Sequence, residues 1–330
     1  MKIERFAFSI LALTLLASIS LTTAPTLRAQ ETLTINDPAE YSAYSMAITQ
    51  ADAKAKAAGL ESFLTTYPQS IVKKAVLDLL LDTYSQLGDA DHGLSAASRL
   101  LQVDPGNMKA IFLSMGVKKS QCGKTSDTQV CDDAAALAQQ GLTVPKPDSV
   151  SDDLWKRQTD VSYPVFHSAI ALDDVLSRKD FKAAISEYRT ELMILAPDQT
   201  KSGSGLSDTV QLAEIYVKPE SLDLVKAVWF YSRAWNYAPP AFKPVIEQKI
   251  EYWYRKYHGG LDGMEDIKVQ AAVMVFPPEV GSYAQSAPPA TATQTTSASG
   301  FTQDNAGSGP TLSVTMQFIQ TTLNELSTLI

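Results

Sequence analysis

From about residue 37 to residue 275, apolar side chains recur at helical spacing, in stretches of roughly three to four turns separated by short polar breaks. No segment there shows the apolar-polar alternation between hairpin turns that marks a half-buried strand. This rhythm restricts the chain to an all-α fold. The clearest stretch begins near Lys74 and sets Leu77, Leu80, Leu81 and Tyr84 on one face. Gly88 and Asp89 break it, and Leu94, Ala97, Leu100 and Leu101 form a second stripe that stops at Asp104-Pro105. Neither helix buries its stripe alone, so each must pack on its partner and on the next pair, which is the packing logic of a helical solenoid. At the start of the region, Asp37-Pro38-Ala39-Glu40 puts a carboxylate at the N-cap, proline at the first helical position and glutamate at the third. Asp262-Gly263-Met264-Glu265 repeats this device near its end.

The same unit returns twice with recognisable residues. Lys179-Asp180-Phe181 leads into Ala184, Tyr188 and Leu192 and ends at Ala196-Pro197; Leu212-Ala213 and Tyr216 are followed by Ala227, Tyr231, Ala234 and Pro239. These residues resemble the tetratricopeptide-repeat pattern: a Leu-small pair and a Tyr on the first helix, a Gly-Asp-aromatic turn, small-aromatic-small positions on the second helix, and a closing Pro. Leu80, Tyr84, Gly88, Asp89, Leu101 and Pro105 carry it in the first unit, while Leu81 and Gly93 depart from it and Pro197 falls one residue late in the second. The resemblance implies a right-handed superhelical stack of antiparallel helix hairpins, about five in number, in which small residues let helices approach and aromatics fill the spaces beside them. It also implies a binding scaffold whose concave wall is built from exposed positions of the first helix of each hairpin. By register that wall includes Asp78, Asp82, Gln86, Asp173 and Glu214, whose charge favours a basic or polar extended segment of a protein or peptide partner. The same side chains are also what any solvated helix face carries.

Two further pairs are weaker. Tyr41 to Gln50 with Ala55 to Tyr67-Pro68 reads as a shortened first repeat, and Met108 to Lys119 with Asp132 to Leu142 reads as a repeat whose turn is expanded around the cysteines. The proline-rich stretch from Thr143 to Asp152 reads as an irregular connection, followed by one helix from Asp153 to Asp160 and another from Val165 to Leu176. Pro244 to His258 and Asp262 to Val273 form a terminal pair that closes the stack.

The ends read differently. Lys2 and Arg5 precede an apolar run from Phe6 to Leu21 and a short segment ending Leu27-Arg28-Ala29, the layout of a secretory signal peptide over residues 1–29. The expected product is periplasmic or secreted, with no stable membrane span after cleavage. Residues 276–310 are rich in Pro, Ala, Ser, Thr, Gln and Gly and read as a disordered linker. Residues 311–330 carry Met316, Ile319, Leu323, Leu326 and Ile330 at helical spacing, an amphipathic helix that could dock on the stack, bind a partner or begin a further domain.

With 28 Lys and Arg against 36 Asp and Glu, the chain has a formal net charge of −8 and no basic cluster, so nucleic acid is not an expected partner. Cys122 and Cys131 lie close together in a chain expected to meet oxidising conditions, which favours a structural disulfide. A zinc site lacks its other ligands nearby, and a redox pair is more typically spaced C-x-x-C.

Catalytic chemistry finds little support. His92, His167 and His258 fall on a turn, a packed helix and a helix end, with no nucleophile-base pair or metal motif around them. Gly123-Lys124-Thr125 lacks the preceding glycine of a phosphate-binding loop, and Lys201-Ser202-Gly203-Ser204-Gly205 lacks nucleophile-elbow spacing. Neither enzymatic activity nor a cofactor is expected. The aromatic run containing Trp229, Trp235, Tyr252, Trp253, Tyr254 and Tyr257 supplies either core packing or, as the alternative function, a glycan- or cell-wall-binding face.

Overall fold

The structure is a computed structural model that describes residues 34–278; the expected signal peptide, nearly all of the linker and the 311–330 segment lie outside the described residues. Those residues form twelve α-helices and no strand. In order they are α1 (Pro38–Ile48), α2 (Ala53–Thr66), α3 (Lys73–Leu87), α4 (Ala90–Val103), α5 (Met108–Thr125) and α6 (Thr128–Thr143). There follow α7 (Asp152–Asp173), α8 (Phe181–Ile194), α9 (Gly203–Tyr216), α10 (Leu224–Tyr237), α11 (Lys243–His258) and α12 (Met264–Val273). Each helix from α1 to α10 packs on the one that follows it, α5 also meets α7, and α12 packs on α10.

Local chemistry starts and stops these helices. The side chains of Asp37, Asp52, Asp89, Asn107, Asp127, Ser151, Asp180 and Asp223 each accept a hydrogen bond from a first-turn amide that has no partner within its helix. Such a cap stabilises its helix by about 1 kcal/mol. Between α3 and α4, Gly88 adopts the left-handed conformation (φ 66°) that closes a helix cheaply only in a residue without a side chain. Buried apolar residues then form three clusters along the chain. The first centres on Leu60, Leu77, Leu80 and Leu100, the second on Ile111, Met115 and Phe166, and the third on Tyr188, Leu212, Trp229, Phe230 and Ile250.

Three local expectations are corrected. Residues 152–173 form one helix, not two, although Pro164 inside it lacks the amide that would bond one turn back, a defect costing about 3 kcal/mol. Burial of Pro164, Phe166, Ala169 and Ile170 against neighbouring helices offsets that loss, since each large apolar side chain buried contributes roughly 1.5–3 kcal/mol. The approach is close: a β-carbon added at Gly141 on α6 would stand 2.4 Å from the Phe166 ring. The cysteines are also not held in an expanded loop. Cys122 lies in the last turns of α5 and Cys131 in the first turn of α6, and their disulfide staples a short hairpin turn. Finally, Asp262 does not cap α12. The helix starts behind Gly263 without a side-chain cap, and the Asp262 carbonyl instead accepts from the Tyr254 hydroxyl at 2.5 Å.

The other end of α12 is held by side chains of α10. Asn236 donates to the Lys268 carbonyl at 2.8 Å, Arg233 to the Ala271 and Met274 carbonyls at 3.0 and 3.1 Å, and Trp229 to the Val275 carbonyl at 3.3 Å. The Tyr237 hydroxyl donates to the Ala272 carbonyl. Among these acceptors, the Ala271 and Ala272 carbonyls are ones that the C-terminus of α12 leaves without intrahelical partners.

Candidate interaction site

The five residues expected on an exposed wall fall into three different environments. Asp78 and Asp82 sit on α3, partly solvated, and share the ammonium of Lys109 from α5 at 3.4 and 2.5 Å. Gln86, one turn further on, is exposed. Asp173 and Glu214 correct the expectation of exposure, with 0% and 7% of their surface accessible. Glu214 is buried because α9 is packed on both sides by α8 and α10, and Leu212, Ala213, Ile215 and Tyr216 around it are buried too. Lys249 on α11 answers its charge at 2.5 Å.

Asp173 closes α7 at the point where the backbone widens into a π-helical turn, Asp174–Arg178, followed by Lys179 in the left-handed region (φ 55°). Arg178 Nε lies 2.8 Å from Asp173 Oδ2. Burial pushes the Asp173 carboxyl above the ordinary carboxylate range; Ser177 and Arg178 pull it back, and Asp132 adds to the rise. For Asp174 burial dominates as well, and the group titrates at about 6 despite Arg178.

Side-chain bridges join the odd-numbered helices in sequence, passing over the even ones. Lys109 connects α5 to α3, and Lys249 connects α11 to α9. Between them Lys119 on α5 donates to Ser168 Oγ on α7 at 2.5 Å, and Ser168 Oγ donates onward to Asp208 Oδ2 on α9 at 2.5 Å. Lys119 Nζ is itself 4.0 Å from Asp208. Glu191 on α8 completes this group from the other side, 1% exposed. Burial, and then the charge of Asp208, hold its carboxyl well above the usual range, with Lys119 opposing. A serine between a lysine and a carboxylate has the make-up of an activated nucleophile, but Ser168 is 0% exposed and no substrate can meet it in this arrangement. Its hydroxyl serves as a bridge between charges.

Sequence reasoning missed this group, although one signal was available. Glu191 follows Ala184 and Tyr188 on the buried stripe of α8, and Asp208 precedes Leu212 by one turn on that of α9. A carboxylate at a stripe position marks a buried partner to be sought.

The remaining candidates are placed as follows. His92 Nδ1 lies 2.9 Å from Asp89 at the start of α4, and His167 Nδ1 lies 2.6 Å from Glu187 across α7 and α8. His258 ends α11 and stacks on Tyr254. Trp229, Tyr231, Trp253 and Tyr254 are buried in the third core cluster, and the ammonium groups of Lys243 and Lys268 lie 4.5 and 4.4 Å from the centre of the Trp235 ring. The aromatic run is therefore committed largely to packing. Among the described residues, no three His, Cys, Asp or Glu side chains are grouped to hold a metal ion, and no helix is long and apolar enough to cross a membrane. No protein-family model matches the chain, and no curated protein matches it.

Proposed function

We propose that the twelve helices are a tetratricopeptide-like stack of antiparallel hairpins wound into a right-handed superhelix. The chain acts as an exported scaffold or adaptor that holds a protein or peptide partner in the cell envelope. The observation that carries this reading is the succession of side-chain bridges α3–α5, α5–α7–α9 and α9–α11, the order in which a stack of hairpins would line up its odd-numbered helices along one wall. Supporting it, α1, α3 and α5 begin at the evenly spaced residues Pro38, Lys73 and Met108. The residues that resemble the repeat pattern also occupy packing positions, with Leu80, Leu212, Ala213, Ala227, Tyr231 and Ala234 inaccessible to solvent. The wall offers a partner the solvated α3 segment around Asp82 and Gln86.

A photo-crosslinking side chain at Asp82 or Gln86, placed in the full chain within the native envelope, tests the reading. A discrete protein adduct at these positions is expected, absent when the crosslinker sits at Ser95 or Ser98 on α4. Loss of the adduct on Asp82→Lys would complete the case. Equal labelling from both helices, or none from α3, sinks the groove assignment.

A further inference from the structure

We propose that a single proton on Glu191 locks α8 and α9 against α5 and α7, and that its loss as pH rises opens this joint. The charges at the site are unevenly matched. Two carboxyl groups, Glu191 and Asp208, enter from adjacent helices with 1% and 6% of their surfaces exposed, and one ammonium, Lys119, faces them. Ser168 fills the space between Lys119 and Asp208 with a 2.5 Å hydrogen bond to each. That triad is balanced without Glu191: one positive charge, one negative charge and one hydroxyl that both accepts and donates.

Glu191 has no such provision. Its Oε2 is buried with no hydrogen-bond partner, which the carbonyl oxygen of a neutral carboxylic acid tolerates far better than a carboxylate does. The other titratable group facing this space is Tyr188, on the same helix and 1% exposed; Asp208, Glu191 and Asp174 all oppose its ionisation, and it brings no positive charge to a Glu191 carboxylate. An ionised Glu191 would leave two buried carboxylates to one lysine. The upward displacement of its titration, caused first by burial and then by Asp208, agrees with this geometry.

The direction of the effect follows from linkage. Glu191 binds its proton more tightly in the closed joint than in an opened one, where it titrates near the ordinary value of 4.5. Closure is therefore fully supported below that value and weakens as pH rises towards the elevated one. In that interval the opening equilibrium grows about tenfold per pH unit. Four helices meet at this point, so what it releases is the contact of the α8–α9 pair with the helices before it.

Amide hydrogen exchange of the full chain, measured between about pH 5 and pH 9 and corrected for the intrinsic rise in exchange, tests the lock. In the wild type, α8 and α9 amides are expected to lose protection by about tenfold per pH unit while α3 and α4 amides do not. Glu191→Gln, which keeps the shape and carries no titrating proton at this joint, should hold α8 and α9 protection constant above about pH 6, where Asp174 has already ionised. Asp208→Asn removes the like charge that opposes ionisation, so its protection should stop falling at a lower pH than in the wild type. A wild type whose α8 and α9 protection is independent of pH above about 6 overturns the proposal, as does a Glu191→Gln chain that keeps the slope there. Should Glu191→Gln fail to fold, an Asp208→Asn profile identical to that of the wild type overturns it equally.

Discussion

Lys249 on α11 donates to Glu214 on α9 at 2.5 Å, with only 6% and 9% of the two side chains exposed. The Lys249 ammonium also lies 5.7 Å from the centre of the Tyr231 ring. A carboxylate whose register marks it as a hook for a partner is thus spent inside the molecule. Its charge holds two helices together that are separated in the chain by α10. The pair formed by Asp82 and Lys109 joins α3 and α5 in the same manner, but in solvent.

The contrast predicts very different costs. Glu214→Ala takes the carboxylate away from a buried ammonium and should lower stability by about 3–5 kcal/mol in chemical denaturation. Asp82→Ala should cost no more than about 1 kcal/mol, since exposed ion pairs are screened. Near-equal effects would show that the burial of the α9–α11 pair is not maintained in solution.

At Gly141 the α6–α7 contact leaves no room for a side chain, because the added carbon would meet the Phe166 ring at 2.4 Å. Gly141→Ala should therefore destabilise the chain by about 1–3 kcal/mol, against the usual gain from replacing a helical glycine. Combining it with Phe166→Leu should recover part of the loss. A stabilised Gly141→Ala protein in thermal melts would contradict the close approach.

The disulfide closes a loop with a sequence separation of 9. Replacing both cysteines by serine should lower stability by about 2–3 kcal/mol on the chain-entropy account, while helix content by circular dichroism stays the same. Because the staple joins α5 to α6 at their turn, the fastest amide exchange in the variant should appear there.

Asp174 supplies a pH signature in the acid range. Its carboxyl titrates at about 6 in the folded chain against an ordinary 3.8, so the folded state holds the proton more tightly. The stability it contributes is complete below about pH 4 and is lost as pH rises through about 6. Asp174→Asn should raise the melting temperature at neutral pH and remove that part of the dependence. An unchanged profile would mean that Asp174 is solvated or better paired than its position implies.

Much of this architecture was legible in the residues. Helix boundaries followed from side chains acting within one turn, such as Asp37 and Asp89 at N-caps and Gly88 at a C-cap. The stripe of Leu77, Leu80, Leu81 and Tyr84 pointed inward as its spacing required. Where sequence reasoning failed, a long-range contact overrode a local preference. Pro164 argues for a break in α7, but burial of its neighbours keeps the helix whole.

By itself, then, the sequence determined that the chain is helical, where most of its helices begin, which residues share a face, and which cysteines can join. Tertiary structure alone decided which charges are solvated and which are enclosed. Periodicity says that Glu191, Asp208 and Glu214 lie on particular sides of their helices, but not what arrives opposite them. Asp208 and Glu214 are buried as carboxylates because a compensating group, Lys119 or Lys249, is brought to each from a helix distant in sequence, and that meeting depends on how the helices pack.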